Sequence, residues 1–196
     1  FGGGTALNPD NWLISPAFTA GSTVTFWYAG QDPNYAAETF GVYVIANGTA
    51  SDELGHFTAS NTYQQGSVDI SDFAGQTVQV AFRHYDITDM FRLNLDLVEV
   101  SGGGSTPNTP VPPTENPNTP EPGTATGWGF ETDPFAEGWT IRDDDGDGYN
   151  WEWMDASASG YNVYEGTHCM ASASFQNNPF GGGTALNPDN WLISPA

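Results

Sequence analysis

Apolar and polar residues alternate with a period of two along most of the chain. Val24, Phe26 and Tyr28 alternate with Thr23, Thr25 and Trp27, and Val78, Val80 and Phe82 with Gln79, Ala81 and Arg83. That period places successive side chains on opposite faces of a β-strand. Phe40, Val42, Val44 and Ile45 mark a further apolar strand. Leu93, Leu95 and Leu97 alternate with Asn94 and Asp96, and the phase then changes at Val98 and Val100. A phase change within one strand predicts a β-bulge. Shorter candidates are residues 12–15, 67–70, 128–131, 139–141, 150–154 and 169–174. No stretch holds a 3.6-residue period. Roughly ten short strands, separated by Gly, Asn, Asp and Pro turns, predict an all-β fold, a β-sandwich of jelly-roll type.

A repeat changes this picture. Residues 1–17 read FGGGTALNPDNWLISPA, and residues 180–196 read the same, letter for letter, at an offset of 179 residues. The chain therefore reads as a window on a tandem array. Residues 101–127 interrupt the strand pattern with seven Pro and six Thr and almost no apolar residues. Such a composition favours polyproline II, and at ~3.1 Å per residue the segment could span roughly 80 Å. It reads as a stiff spacer, open to O-glycosylation on Thr, or as a disordered tether. The expected organisation is three parts: residues 1–100 as the C-terminal part of one jelly-roll unit, 101–127 as linker, and 128–196 as the N-terminal part of the next. On this reading a neighbouring copy completes the sandwich of residues 1–100.

Charge narrows the partners. The chain has 24 acidic side chains, three basic ones and no Lys, for a formal charge of −21. Nucleic acid is excluded as a partner, because phosphate binding needs a basic footprint. Docking on anionic lipid is excluded for the same reason. The apolar runs fall far short of the ~20 residues a bilayer span needs, so no membrane insertion is expected. The single Cys169 excludes a disulfide framework within the chain. Charged residues make up only 14% of the chain and aromatic residues another 14%, so this is a folding sequence rather than an acidic disordered one.

The sharpest chemistry lies in Asp143-Asp144-Asp145-Gly146-Asp147-Gly148. Carboxylates at 143, 145 and 147 followed by Gly148 reproduce the first six positions of an EF-hand loop. A hard divalent cation takes six to eight oxygens, and alternate residues on a tight turn can converge on one point. Position 12 of such a loop is Met154 rather than Glu, and no helices flank it. The segment is therefore a calcium-type loop in a β context; the bland alternative is a solvated acidic turn. Glu131 follows Phe130 at the first strand of a unit, and Asp96 lies in the last. First and last strands of a jelly roll are often neighbours, so these two carboxylates are candidates for a second cation site, or else surface charges. Asp10, Asp32, Asp86, Asp89 and Asp189 are further oxygen donors. His56, His84 and His168 lack zinc spacing, and His84 reads as structural. Adjacent His168 and Cys169 point to opposite faces of a strand, so neither can activate the other. No catalytic motif is present, and the chain is not expected to be an enzyme. Asn47-Gly48-Thr49 is a glycosylation sequon.

Five strings carry a family resemblance: WTIRDDDGDGYNWEWM, HCMASASFQNNP, ALNPDNWLISPA, FGVYV and FAGQTVQVAFRHYDITDMFRLNLDLVEV. They resemble the cleaved adhesin domain, the module attached to gingipain-type proteases and related bacterial surface proteins. The likeness covers nearly all of residues 1–100 and 128–196, in the rotated order expected of a repeat. It implies a secreted, calcium-binding jelly roll displayed at the cell surface. It also implies metal ligation by Asp143, Asp145 and Asp147, with Glu131 and Asp96 completing a second site. Family members commonly read Leu-Asp-Asp-Val in the last strand, where this chain reads Leu95-Asp96-Leu97-Val98, one carboxylate fewer.

Two functions follow as expectations. The first is a repeat unit of a calcium-stabilised extracellular fibre or tandem adhesin, whose partners are neighbouring copies of itself and whose linker docks along the next unit. The second is a module that binds glycans or host surface proteins without assembling, with Trp27, Tyr28, Trp151 and Trp153 as candidate stacking residues.

Overall fold

A computed structural model describes residues 4–102, 126–143, 149–159, 162–177 and 190–191. Their strands are β1 (Gly4–Ala6), β2 (Asn11–Ile14), β3 (Phe18–Thr19), β4 (Thr23–Gly30), β5 (Thr39–Ala46), β6 (Thr49–Ala50), β7 (Gly55–Thr58) and β8 (Gln64–Asp69). They continue with β9 (Thr77–His84), β10 (Arg92–Ser101), β11 (Thr126–Trp128), β12 (Arg142–Asp143), β13 (Glu152–Asp155), β14 (His168–Ala173), β15 (Phe175–Asn177) and β16 (Asn190–Trp191). Among the described residues the helical pieces are one turn at Ala156–Ser159 and a 3₁₀ turn at Ser71–Phe73.

Two sheets form a sandwich. The first runs β13-β14-β10-β4-β8, with β11 also on β10. The second runs β12-β16-β2-β9-β5-β6, with β3 on β9 and β7 on β5. A small β1–β15 ladder closes one side. The alternation read from the sequence now has a cause. Val24, Phe26 and Tyr28 of β4 are buried and face Val78, Val80 and Phe82 of β9 across the core. Phe26 meets Phe82 edge-on at 5.1 Å, Phe57 at 5.2 Å and Phe40 at 5.8 Å. Edge-to-face packing of this kind adds about 0.5–1.5 kcal/mol per pair to the burial of the rings.

The bulge is where the phase change predicts it. The β10–β4 register shifts between Asp96 and Glu99, and Leu97 has φ 41°. The extra residue lets Leu93 and Leu95 before it, and Val98 and Val100 after it, all point inward.

The two outer parts of the chain build one sandwich. Strand β10 has β4 on one edge and β14 and β11 on the other. Strands β11 and β14 thus cover an edge that residues 4–101 leave open, beside a row of fully buried Leu and Val. An uncovered edge there would leave unpaired N–H and C=O groups beside the core. The sequence reading assigns that completion to a neighbouring copy; in this fold it comes from within the chain. Val100 and Thr126 are register partners, so the residues bracketing the linker sit side by side and no long span separates them. Of the linker expected at 101–127, Ser101 ends β10 and Thr126 and Gly127 belong to β11, while residues 103–125 lie outside the described residues.

The expected strand at 128–131 is shorter than predicted. Strand β11 ends at Trp128, and Phe130 adopts φ 56°. That turn sends the Phe130 ring into the core against Trp139, at 5.3 Å, and carries Glu131 off the strand.

Candidate functional site

The outer face of the first sheet carries the most developed cluster of polar chemistry. Strand alternation places Asp96 on the face of β10 opposite Leu95, just before the bulge. Its Oδ1 accepts the Leu97 N–H at 2.8 Å. Its Oδ2 accepts the N–H of Tyr164 at 2.8 Å and of Glu165 at 3.2 Å. Glu131, beyond the Phe130 turn, accepts the N–H groups of Thr167 and His168, each at 3.0 Å, and the Thr167 hydroxyl at 3.1 Å. Asp96 and Glu131, expected as a pair, are thus brought to one segment, residues 164–168, and grip it from two sides. Just upstream, the Asn162 carbonyl accepts from the Tyr63 hydroxyl at 2.9 Å and Asn94 Nδ2 at 3.2 Å.

Gly166 makes this approach possible. It has φ 62°, and a Cβ there would collide with the Glu131 carboxylate. Both facts require glycine.

The electrostatics set the two carboxylates apart. Asp96 is fully buried, and burial pushes its carboxyl up to about 6 against the pull of its three N–H donors. Among the described residues no cationic side chain pairs with it. Burial also acts to raise Glu131, but the N–H donors of His168 and Thr167 outweigh it and hold the group below its ordinary value. Between them lies Cys169, whose thiol is pushed up to about 12, first by burial and then by the Asp96 charge.

An aromatic pair covers the same face. Trp27, opposite Asp96 in the β4–β10 register, stacks on Tyr164 at 3.8 Å and 10°. Tyr164 is 39% exposed, and Tyr63 lies 5.9 Å away. Of the four aromatics nominated from sequence, Trp27 is half-buried in this pair, and Trp153 is half-buried, stacked on His168 at 4.5 Å. Tyr28 and Trp151 belong to the core. Tyr164 is the partner that sequence reading missed, because nothing in its local pattern marks it.

The acidic loop falls only partly among the described residues. Asp143 lies in β12, its backbone paired with Asn190, while Asp145 and Asp147 fall outside the described residues, as does any placement of their carboxylates. Among the described residues no group of three or more His, Cys, Asp or Glu side chains is gathered as a metal cage.

A second polar cluster lies between the sheets. His84 Nε2 is 3.0 Å from Glu38 Oε2, and His84 Nδ1 is 2.9 Å from Ser172 Oγ. The order Ser–His–Glu matches a nucleophilic triad. Yet all three side chains have zero exposure, and Ser172 Oγ already accepts from Asn11 Nδ2 at 2.7 Å. Ser174 Oγ donates to Glu38 Oε1 at 2.8 Å. Sealed from solvent, this network pins β9 and β2 of one sheet to β14 of the other. The structural reading of His84 agrees with this placement.

Comparison with known proteins sets the cluster in context. Over 218 residues the chain is 35% identical to Lys-gingipain of Porphyromonas gingivalis, covering 98% of this chain and 11% of that protein. Over 214 residues it is 34% identical to Hemagglutinin A of the same organism, covering 95% of this chain and 7% of that protein. The chain therefore spans about a tenth of the length of these relatives. Among solved structures, one cleaved adhesin domain of Lys-gingipain aligns with 36% identity and a TM-score of 0.45, over 50% of this chain and 66% of that one. A second domain of the same protein aligns with 34% identity and a TM-score of 0.41, over 46% and 63%. The family described as Cleaved Adhesin Domain matches residues 1–100 and 124–196, and the chain belongs to that family.

Proposed function

We propose that the chain is a calcium-stabilised repeat module of an extracellular, surface-displayed adhesin or fibre, with a structural and cell-attachment role. That it is an adhesin domain follows from its family. Membership of the cleaved adhesin family is in keeping with a non-catalytic module. The exact 17-residue repeat supports tandem arrangement and copies of itself as partners.

The observation that carries the calcium reading is Asp96. A carboxylate with zero exposure and no cationic partner among the described residues is an unfavourable charge. A divalent cation beside it removes that penalty. That Asp96 and Glu131 both present hard oxygen donors to the same segment supports this reading. Asp143, Asp145 and Asp147 would hold a second ion on their loop. A bound cation would supply positive charge that locks residues 162–168 onto the sheet.

Extracellular calcium sites work at roughly 10⁻⁴–10⁻³ M. At about twenty times a 10⁻⁴ M dissociation constant, linkage gives about 2 kcal/mol. For a domain of this size that is a rise in Tm of about 4–8 °C. Calorimetry with calcium and with EDTA tests this, and the Asp96→Asn chain should lose much of the response. Identical melts in calcium and EDTA would refute the calcium reading.

A second reading, binding of glycans or host proteins, is favoured by the stacked Trp27–Tyr164 pair with its exposed outer ring. Aromatic faces stack on the apolar faces of sugars. A glycan array probed with the wild-type and Tyr164→Ala chains decides it; equal signals from both would exclude this surface.

A further inference from the structure

A nucleophilic array sealed from solvent can act only on a group sealed in with it. Ser172, His84 and Glu38 have zero exposure, and Asn11 has 1%. The Asn11 carboxamide touches Ser172 Oγ, with Nδ2 at 2.7 Å and the carbonyl carbon one bond further on. Strand β2 carries Asn11 and β14 carries Ser172, so the contact crosses the core from one sheet to the other.

The hydrogen bonds set the roles. Ser172 Oγ accepts an N–H from Asn11, which leaves its own proton for His84 Nδ1 at 2.9 Å. The ring N–H is then on Nε2, which donates to Glu38 Oε2 at 3.0 Å. The Ser174 hydroxyl holds the other Glu38 oxygen at 2.8 Å. Glu38 thereby orients His84, and His84 stands as a base on the Ser172 hydroxyl. Asn11 and His84 are register partners in β2 and β9, which keeps the amide beside that base. Two buried atoms are left over. Asn11 Oδ1 and Trp151 Nε1 have no hydrogen-bond partner among the described residues, and the Trp151 ring lies edge-on to His84 at 6.4 Å. An acceptor without a donor and a donor without an acceptor are what an oxyanion intermediate puts to use.

We propose that Ser172 and Asn11 become joined by an ester bond across the core, made once, by the protein on itself. Ser172 Oγ attacks the Asn11 side-chain carbon while its proton passes to His84 Nδ1. The C–N bond then breaks, His84 returns the proton to the departing nitrogen, and ammonia leaves. The hydrogen bonds described above are those of the chain before this step. Holding both groups in contact removes the entropic barrier to their meeting, and excluding water protects the ester from hydrolysis. The bond would tie one sheet to the other and residues 1–100 to residues 128–196, on either side of the linker. It goes beyond the proposed adhesin role and depends on neither calcium nor glycan.

The readout is mass, because Ser172→Ala also unties hydrogen bonds and would move stability with or without an ester. The whole chain is used with Asn47→Gln, since Asn47-Gly48 is an exposed Asn–Gly pair that can itself lose ammonia by closing to a succinimide. After prolonged incubation at neutral pH, this chain, denatured, should be lighter than its sequence by one ammonia. A peptide map should find Asn11 and Ser172 in one crosslinked peptide, which hydroxylamine splits. Adding Ser172→Ala or His84→Gln should restore the full sequence mass, and Glu38→Gln should slow the loss several-fold. The full sequence mass without those changes would overturn the proposal, as would an ammonia loss mapped away from Asn11 or persisting with Ser172→Ala. An unchanged rate in Glu38→Gln would overturn the array as drawn. A protease site built into the linker gives a second measure that folding differences do not move. Once cut and denatured, the chain should run as one species; two separate pieces would overturn the bond.

Discussion

Gly166→Ala is the most direct probe of the carboxylate-anchored segment. An L-residue at φ 62° costs about 1–2 kcal/mol in backbone strain. The new Cβ would also displace the Glu131 carboxylate, which holds the Thr167 and His168 N–H groups and the Thr167 hydroxyl. These bonds are exposed to solvent, so together they contribute about 1–2 kcal/mol rather than the full charged-bond value. The sum, about 2–4 kcal/mol, corresponds to a fall in Tm of roughly 4–16 °C. Gly75→Ala separates the two contributions. Gly75 has φ 77°, and a Cβ there would meet nothing within 4 Å, so only strain applies. Scanning calorimetry on both variants should show the larger drop at Gly166. In a cycle with Glu131→Ala, the Gly166 effect should shrink toward the Gly75 value, because the carboxylate it displaces is already gone. Equal drops at the two glycines, or full additivity with Glu131→Ala, would refute the claim that Glu131 anchors this segment.

The buried network makes a second prediction. Ser172→Ala removes the partner of both Asn11 Nδ2 and His84 Nδ1, and each orphaned buried group costs about 1–3 kcal/mol. The variant should lose about 2–6 kcal/mol in denaturant unfolding; Ser60→Ala, whose bonds are exposed, should lose less than about 0.5 kcal/mol. Cys169 supplies a third. With its thiol pushed up to about 12, almost no thiolate exists at about pH 8, and the side chain is fully buried. Iodoacetamide should leave the folded protein unlabelled by mass spectrometry and should label it fully in guanidinium; rapid labelling of the native protein would contradict the packing around Asp96 and Glu131.

Much of the architecture is written in local pattern. A period of two is a statement about neighbours in the chain, and burial of one sheet face enforces it residue by residue. Hence β4, β5, β9 and β10 are legible, and so is the bulge, because a phase slip in Leu93–Val100 is itself local. The Asp96 and Glu131 carboxylates are visible as oxygen donors beside first and last strands. What the pattern does not carry is who meets whom. Glu38, His84 and Ser172 are far apart in the chain and become one network only when two sheets close on each other. Trp27 finds Tyr164 only because Asp96 and Glu131 hold the intervening segment by its backbone N–H groups, which no side-chain code announces. The exact repeat is plain in the sequence, yet only the fold shows that its first copy builds β1 against β15 and β2 against β9. Local periodicity is set by which face of a strand is wet. Pairing across the chain is set by which distant surfaces exclude water together, and that competition is settled only in three dimensions.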